Sequence, residues 1–139
     1  MQETVPGDPL KALKLRVLVV DDDIRVRRAL RGLIECAADL TVVGEAGSAR
    51  SAGRLDLELG PDVVVLDLLL PRASDGMQVL QELRGRGRPV VAISRMGELG
   101  PQAMAEGAHA FLEKHGRDVD DLLEMIRAAY RHDPWPPGG

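Results

Sequence analysis

One short run, Val63-Val64-Val65-Leu66-Asp67, constrains the fold of this chain more than any other stretch. Its four apolar residues, mostly β-branched and without polar alternation, are typical of a strand buried on both faces of a parallel sheet. Because ligands of open α/β sheets bind beyond the carboxyl ends of the strands, Asp67 is predicted at the edge of a binding crevice. A capping or turn aspartate is the alternative interpretation of Asp67 at this point.

A second buried strand ends in the same way. The run Val17-Leu18-Val19-Val20 leads directly into three consecutive aspartates, residues 21–23. The carboxyl ends of parallel strands lie at one edge of a sheet, so two such strands that end in carboxylates predict a shared acidic pocket.

Strands and helices alternate along the whole chain. Strands are predicted over 15–20, 41–46, 62–66, 90–93 and 108–112, and helices over about 23–38, 48–59, 77–84, 101–106 and 118–130. This alternation indicates an α/β fold, a flavodoxin-like doubly wound parallel sheet of five strands in the order 2-1-3-4-5 with helices on both faces. Asp23, Ser48 and Asp118 are the predicted helix N-caps. Residues 1–14 are expected to form a flexible leader, 15–131 one domain, and 132–139 a flexible Pro/Gly-rich tail.

Composition excludes several classes of function. A net charge of −4 and only three aromatic residues argue against a direct nucleic-acid binder. Four arginines at 25, 27, 28 and 31 are predicted to spread over the solvated outer face of one helix. Cys36 is the only cysteine, which excludes a disulfide framework or a thiol-rich metal site. No apolar run approaches the roughly 20 residues that span a bilayer, so no membrane association and a cytoplasmic location are expected.

Four predicted strand ends carry polar groups with a common chemistry. Clustered carboxylates repel one another unless a cation lies among them, and Mg²⁺ prefers carboxylate and carbonyl oxygens. A carboxylate, a metal ion, a lysine and a hydroxyl together can carry out phosphoryl transfer, in which an aspartate is a known acceptor. The residues concerned are Asp21 with Asp22, Asp67, Ser94 and Lys114.

At these residues the sequence resembles the receiver domain of bacterial two-component response regulators, over nearly the whole span 15–131. The matching motifs are Val19-Val20-Asp21-Asp22-Asp23, Val65-Leu66-Asp67 with Pro71 and Gly76, Ile93-Ser94, and Phe111-Leu112-Glu113-Lys114. The resemblance implies a signalling switch in which a sensor histidine kinase phosphorylates Asp67.

The same resemblance implies a role for each site residue. Asp22 and Asp67 would bind Mg²⁺ with the backbone carbonyl of Leu69, and Asp21 would help directly or through water. Lys114 would pair with a phosphoryl oxygen. Ser94 would be the switch hydroxyl that binds the phosphoryl group, and Phe111 the switch aromatic. Beyond its own phosphorylation and slow dephosphorylation, no enzymatic activity is expected.

The sequence also departs from the family pattern. One extra residue lies between Pro71 and Gly76, and the chain between Ser94 and Lys114 is about two residues shorter than usual. Arg95 replaces the small residue that normally follows the switch hydroxyl, where it could crowd the pocket or bind its phosphoryl group. His115 stands where many receivers have proline. The shortening falls on the loop before the fourth helix. In the family that this chain resembles, the fourth helix, fifth strand and fifth helix form the usual signalling face, which here corresponds to 99–131.

Other functions stay open at this stage. The main alternative is an interaction module with a receiver fold whose output does not depend on phosphorylation. A phosphatase with an Asp-x-Asp motif would need a longer chain, and a flavin phosphate would be repelled by the three aspartates. The 99–131 face is expected to bind a second copy or a downstream protein. The domain either acts alone through such contacts or belongs to a longer regulator.

Overall fold

The computed structural model describes residues 14–114 and 119–138, and over these residues strands alternate with helices. The strands are β1 (Leu15–Val20), β2 (Leu40–Ala46), β3 (Val63–Asp67), β4 (Val90–Ser94) and β5 (Ala110–Glu113). The helices are α1 (Ile24–Glu35), α2 (Ala49–Leu59), α3 (Ala73–Gly85), α4 (Gly100–Ala105) and α5 (Val119–Arg131), and a 3₁₀ turn spans Gly97–Leu99.

All strand pairs in the sheet are parallel, and the strand order is β2-β1-β3-β4-β5. The predicted order 2-1-3-4-5 is therefore confirmed. β1 and β3 are neighbours at the point where the order reverses, so their carboxyl ends flank the crevice in which such sheets bind ligands.

Two apolar layers cover the two faces of the sheet, which explains why the strands show no polar alternation. Along β3, Val63 and Val65 pack into one layer with residues of α1 and α5. Val64 and Leu66 pack into the other layer with residues of α2, α3 and α4. The central strands are therefore apolar along most of their length, and their polar residues lie at or near the ends.

Helix ends follow the predicted capping chemistry in two cases. The Asp23 carboxylate accepts the Arg25 backbone N–H at 2.9 Å, and Ser48 Oγ accepts the Ser51 N–H at 3.1 Å. Helix α1 ends at Glu35 rather than near 38, because the Cys36 N–H bonds to the Leu33 carbonyl three residues back and the regular α-helical pattern stops there. The third predicted cap, Asp118, and His115 lie outside the described residues.

Helix α3 begins at Ala73, so the prediction of a loop through residue 76 and a helix from 77 is wrong. The Asp75 carboxylate accepts the Arg72 backbone N–H at 3.2 Å and closes the first turn of the helix. Asp75 and Gly76, read from the sequence as a turn, are the third and fourth residues of α3. The segment between Pro71 and Gly76, which is one residue longer than the family pattern, therefore lies largely within the first turn of α3.

Smaller differences concern the strands and the fourth helix. β2 begins one residue earlier than predicted, β3 is shifted by one residue at both ends, and β4 ends one residue later. β5 begins at Ala110 rather than 108 and ends at Glu113 rather than 112. The reason in β5 is that the Ala108 N–H bonds to Ala103 at the end of α4 instead of joining the sheet. α4 begins at Gly100, and the 3₁₀ turn before it occupies a segment predicted only as a break.

A buried carboxylate stabilises the edge of the sheet away from the acidic strand ends. Asp56 on α2 is fully buried and accepts hydrogen bonds from Arg86 Nη1 at 2.9 Å and from Arg88 Nε at 2.7 Å. Arg88 also donates to the Pro61 carbonyl at 2.6 Å. These bonds join the end of α2 to the segment between α3 and β4.

The C-terminal segment contacts the domain through His132, Asp133 and Trp135. Trp135 packs against the apolar layer beneath α5, and the His109 ring is hydrogen-bonded to the Asp133 carbonyl. Flexibility of the tail stays a prediction, as does flexibility of the leader, of which only Lys14 is described.

Candidate functional site

Lys114 joins two buried carboxylates at the carboxyl ends of β1 and β3. Its Nζ donates to Asp21 Oδ2 at 2.8 Å and to Asp67 Oδ2 at 2.9 Å. The side chains of Asp21 and Asp67 are 1% and 4% exposed, so both ion pairs are shielded from water. The structure therefore brings together three residues that the sequence separates by up to 93 positions.

The second oxygen of each buried carboxylate binds a backbone N–H. Asp21 Oδ1 accepts the Asp23 N–H at 2.9 Å, and Asp67 Oδ1 accepts the Leu69 N–H at 3.0 Å. Each carboxylate is thus oriented by one lysine bond and one backbone bond. Leu69, the predicted carbonyl ligand, lies in the loop that directly follows Asp67, and it lines a cavity together with Asp21 and Asp67.

The electrostatics of the site favour an additional cation. Burial raises the pKa of Asp67 to about 6; the hydrogen bonds from Lys114 and Leu69 oppose this shift, and the charge of Asp21 adds to it. Burial by itself would lower the pKa of Lys114, but the hydrogen bonds to Asp21 and Asp67 raise it above its ordinary value. A single lysine therefore compensates the buried negative charge only in part.

The carboxylates at this edge fit a magnesium site. Asp21, Asp22 and Asp67 can each offer an oxygen, and these oxygens lie within 4.8 Å of one another. Asp22 is exposed and accepts no hydrogen bond from the described residues, which leaves its oxygens available for a ligand. An oxygen-only donor set with one open side is the environment that Mg²⁺ prefers, because it keeps several of its waters.

A cavity of about 330 Å³ opens above these carboxylates. Leu69 and Pro71 form one side, and Arg95 and Lys114 contribute positive charge. Ser94 does not line this cavity: its side chain is fully buried, and its Oγ accepts the Met96 N–H at 3.0 Å. The structure therefore places the predicted switch hydroxyl beside the site with its oxygen already bonded to the loop.

Phe111 contacts the shortened segment that follows Ser94. A Cβ on Gly100 would lie 3.0 Å from the Phe111 ring, and a Cβ on Gly97 would lie 2.3 Å from Glu113 Oε1. The two glycines thus allow the segment to pack closely against β5. Phe111 itself is half-buried and packs against the apolar layer of α2, α3 and α4.

Arg27 is a site residue that the sequence analysis missed. The sequence predicts Arg27 on the solvated outer face of α1, but its side chain is only 17% exposed and its Nη1 donates to the Asp21 carbonyl at 2.7 Å. Its Nε lies 3.4 Å from Glu45. A Cβ on Gly47 would lie 2.9 Å from Nη1, so the guanidinium occupies space that this glycine leaves open. No local pattern in the sequence signals that contact.

The fold and this strand-end cluster define a class of protein. The family description "Response regulator receiver domain" matches residues 17–127. The chain belongs to the receiver-domain family of two-component response regulators.

Known relatives agree with this assignment. The chain is 41% identical over 130 residues to protein-glutamate methylesterase/protein-glutamine glutaminase 1 of Dechloromonas aromatica, covering 84% of this chain and 37% of the relative. It is 35% identical to the nitrate/nitrite response regulator protein NarL of Escherichia coli K12, covering 81% of this chain and 53% of the relative. The response regulator domain of Thermotoga maritima CheB superimposes with a TM-score of 0.78 at 32% identity, covering 87% of this chain and 99% of that domain.

The chain spans only part of the curated relatives, 37% of the first and 53% of the second. The similarity therefore concerns the receiver domain and does not extend to the remainder of these proteins. Among the described residues, no helix combines the length and the apolar character needed to cross a membrane.

Proposed function

We propose that this receiver domain is a signalling switch that accepts a phosphoryl group on Asp67 from a sensor histidine kinase. The observation that carries the proposal is the contact of Lys114 with both Asp21 and Asp67 at the mouth of a cavity. Family membership supports a regulatory role rather than catalysis of a separate substrate. A cytoplasmic location is part of the proposal.

In the transfer, an Asp67 carboxylate oxygen attacks the phosphorus of the phosphohistidine. The new P–O bond forms as the P–N bond breaks, and the imidazole leaves with the bonding electron pair and takes up a proton. The Leu69 N–H orients the Asp67 carboxylate, and Lys114 moves from carboxylate oxygens to a phosphoryl oxygen. Release of the hydroxyl of Ser94 from Met96 would allow it to reach the phosphoryl group.

Mg²⁺ would be held by Asp22, Asp67 and the Leu69 carbonyl, with Asp21 direct or through water, and it would neutralise charge that develops on the phosphoryl group. Asp22 fits this role because it is exposed and its oxygen lies within 4.8 Å of the other two carboxylate oxygens. Arg27 holds the Asp21 carbonyl and thereby fixes the loop that carries Asp22.

The output surface is proposed at the 99–131 face, for a second copy or a downstream protein. Met104 and Tyr130, which are 41% and 47% exposed, lie on this face. Phe111, at the base of the same face, packs on Gly100 and so connects the segment after Ser94 with β5.

The test is the mass of the protein after treatment with acetyl phosphate and Mg²⁺. The wild type should gain one acid-labile phosphoryl group, and Asp67→Asn should gain none while its circular dichroism spectrum stays unchanged. Asp120→Asn, an exposed aspartate in the first turn of α5, is the matched control and should be labelled as the wild type is. Undiminished labelling of Asp67→Asn would refute the assignment of the phosphoacceptor.

A second measurement, of oligomeric state and partner binding before and after labelling, separates the switch from an interaction module whose output does not depend on phosphorylation. If the wild type is labelled but its oligomeric state and partner binding do not change, the module is the correct interpretation. If labelling changes either property and Asp67→Asn removes the change, the switch is supported.

A further inference from the structure

Arg95 is a cationic side chain in the cavity wall with no partner among the residues that the structure describes. It directly follows β4 and lines the same cavity as Asp22, Asp67 and Lys114. Its side chain is exposed, and within 14–114 and 119–138 it makes no hydrogen bond and no ion pair. The other cations nearby are already engaged: Lys114 binds Asp21 and Asp67, and Arg27 binds the Asp21 carbonyl.

The charge of a phosphorylated site gives this arginine a ligand. An aspartyl phosphate and the carboxylates of Asp21 and Asp22 carry about four negative charges near neutral pH. One Mg²⁺ and Lys114 supply about three positive charges. One further positive charge at the cavity mouth therefore balances the phosphorylated site. With Mg²⁺ alone, the three carboxylates of Asp21, Asp22 and Asp67 are already balanced by about three positive charges from Mg²⁺ and Lys114.

Geometry also favours a phosphoryl ligand over a second carboxylate. The guanidinium group presents planar paired donors that match the oxygens of a phosphoryl group, and phosphate binding is a common use of arginine. The buried carboxylates Asp21 and Asp67 already accept one lysine bond and one backbone bond each. A phosphoryl group on Asp67 would project into the cavity that Arg95 lines.

We infer that Arg95 is a phosphoryl-binding residue, whose guanidinium closes over the cavity and donates to a terminal oxygen of the group on Asp67. The inference rests on the proposed function and adds a binding residue to it. Arg95 thereby favours a dianionic phosphoryl ligand in the site, and it opposes the binding of Mg²⁺ alone because both are positively charged. These two effects have opposite signs, so a general loss of folding cannot imitate them.

The experiment is a calorimetric titration with two probes. The first is Mg²⁺ alone. The second is beryllium fluoride in saturating Mg²⁺, because beryllium fluoride mimics a phosphoryl group on a carboxylate. Arg95→Gln should weaken beryllium fluoride binding by roughly three- to tenfold, the value of one partly exposed charge-assisted pair. The same variant should bind Mg²⁺ alone as tightly as the wild type or more tightly. The affinity of Arg95→Lys for beryllium fluoride should lie between those of Arg95→Gln and the wild type, because lysine keeps the charge and loses the paired donors.

The control is Arg50→Gln, which makes the same change of net charge at an exposed arginine of α2 that does not line the cavity. It should leave both affinities unchanged. The loss in Arg95→Gln should also shrink at high ionic strength, because salt screens a partly exposed ion pair.

Equal affinity of Arg95→Gln and the wild type for beryllium fluoride overturns the role of Arg95, as does an equal loss in Arg50→Gln or a parallel loss of Mg²⁺ affinity. A wild type that neither binds beryllium fluoride nor is labelled by acetyl phosphate overturns the proposed function together with this inference. A wild type that does both, with a weakened Arg95→Gln, supports both.

Discussion

At the scale of single residues, the part of the site that the structure describes has fewer positively charged side chains bound to its carboxylates than it has buried carboxylates. Lys114 donates to Asp21 and Asp67 together, and this shared lysine holds both carboxylates in place without neutralising both. The remaining imbalance appears in the raised pKa of Asp67. Proton binding and metal binding therefore compete for the same carboxylate.

The first prediction is a pH dependence of stability in the metal-free protein. The pKa of Asp67 is about 6 in the folded state against an ordinary value of 3.8, so the folded protein binds more protons between these values. By linkage, the free energy of unfolding should fall as pH rises from about 4 to about 6.5, by about 1–3 kcal/mol. The lowered pKa values of Asp23 and Asp39 act in the opposite sense, but at lower pH.

Urea unfolding in the presence of a chelator, followed by circular dichroism, measures this effect. Asp67→Asn should remove the decrease across the same pH range. A decrease of equal size in the variant would assign the effect to another group.

A second residue-scale prediction concerns how long the phosphorylated state lasts. The side chain two places after Asp67 is Leu69, which lines the cavity and can neither donate nor accept a hydrogen bond to orient a hydrolytic water. Self-dephosphorylation should therefore be slow, and Leu69→Asn should accelerate it by roughly three- to tenfold. Leu57→Asn is the control, because it makes the same substitution at an exposed leucine of α2 that does not line the cavity. The decay of phosphorylated protein in Mg²⁺ buffer decides, and an unchanged rate in Leu69→Asn would contradict the prediction.

At the scale of elements, the position of α3 depends on the absence of one side chain. A Cβ on Gly76 would lie 1.9 Å from the Leu68 carbonyl oxygen, a distance that no side chain can occupy. The first turn of α3 thus packs directly on the backbone of the loop that carries Leu69. This contact keeps the loop beside the carboxylate of Asp67, whose oxygen binds the Leu69 N–H.

Gly76→Ala should therefore lower the free energy of unfolding by about 2–4 kcal/mol, because the helix must move away from the loop backbone. Gly85→Ala offers a matched control on the same helix, since nothing lies within 4 Å of a Cβ there. That substitution should be neutral or stabilising by up to about 1 kcal/mol. Urea unfolding of both variants measures the difference, and equal effects would show that close packing at Gly76 is unimportant.

At the scale of the whole molecule, the acidic site lies at one edge of the sheet and a second cluster of buried ion pairs lies at another. Asp56 is fully buried and binds Arg86 and Arg88, and Arg88 also binds the Pro61 carbonyl just before β3, so this cluster lies at the ends of the strands opposite the acidic ones. Removing such a buried partner leaves charges uncompensated, so this cluster is expected to preserve the fold rather than to take part in phosphorylation.

Binding of Mg²⁺ should raise the stability of the entire domain, because only the folded chain assembles the three carboxylates. At a hundredfold excess over its dissociation constant the gain should be about 2.7 kcal/mol. Asp22→Ala should lose most of this gain. Without metal, the variant should be as stable as the wild type or more stable by up to about 1 kcal/mol, because an exposed repulsive charge is removed.

Chemical unfolding with and without Mg²⁺ tests this prediction, with Asp120→Ala as the control for a lost exposed aspartate. A variant that is destabilised without metal and still gains the full stabilisation from Mg²⁺ would show that Asp22 is a structural residue.

Much of the architecture was predictable from the sequence, because it rests on local patterns. β-Branched runs define the strands, and Ser48 and Asp23 cap the helices that follow β2 and β1. Strand order followed from general rules of chain connection, which placed the polar strand ends together.

What the sequence analysis missed depends on contacts between distant segments. The start of α3 is determined partly by the close approach of Gly76 to Leu68, and the inward turn of Arg27 by the space at Gly47. The bond from the Met96 N–H to Ser94 Oγ likewise depends on the path of the shortened segment. No periodicity or propensity encodes such contacts.

Trp135 is the only tryptophan of the chain, and it packs on the apolar layer beneath α5. Next to it, the Asp133 carbonyl is bonded to His109, before the start of β5, whereas the carboxylates lie at the opposite ends of the strands. The intrinsic fluorescence of Trp135 therefore reports on the part of the molecule that is remote from the acidic pocket. A change in emission on phosphorylation would show that a chemical event at one end of the strands reaches the other, and a constant emission would confine it to the pocket and the adjoining loops.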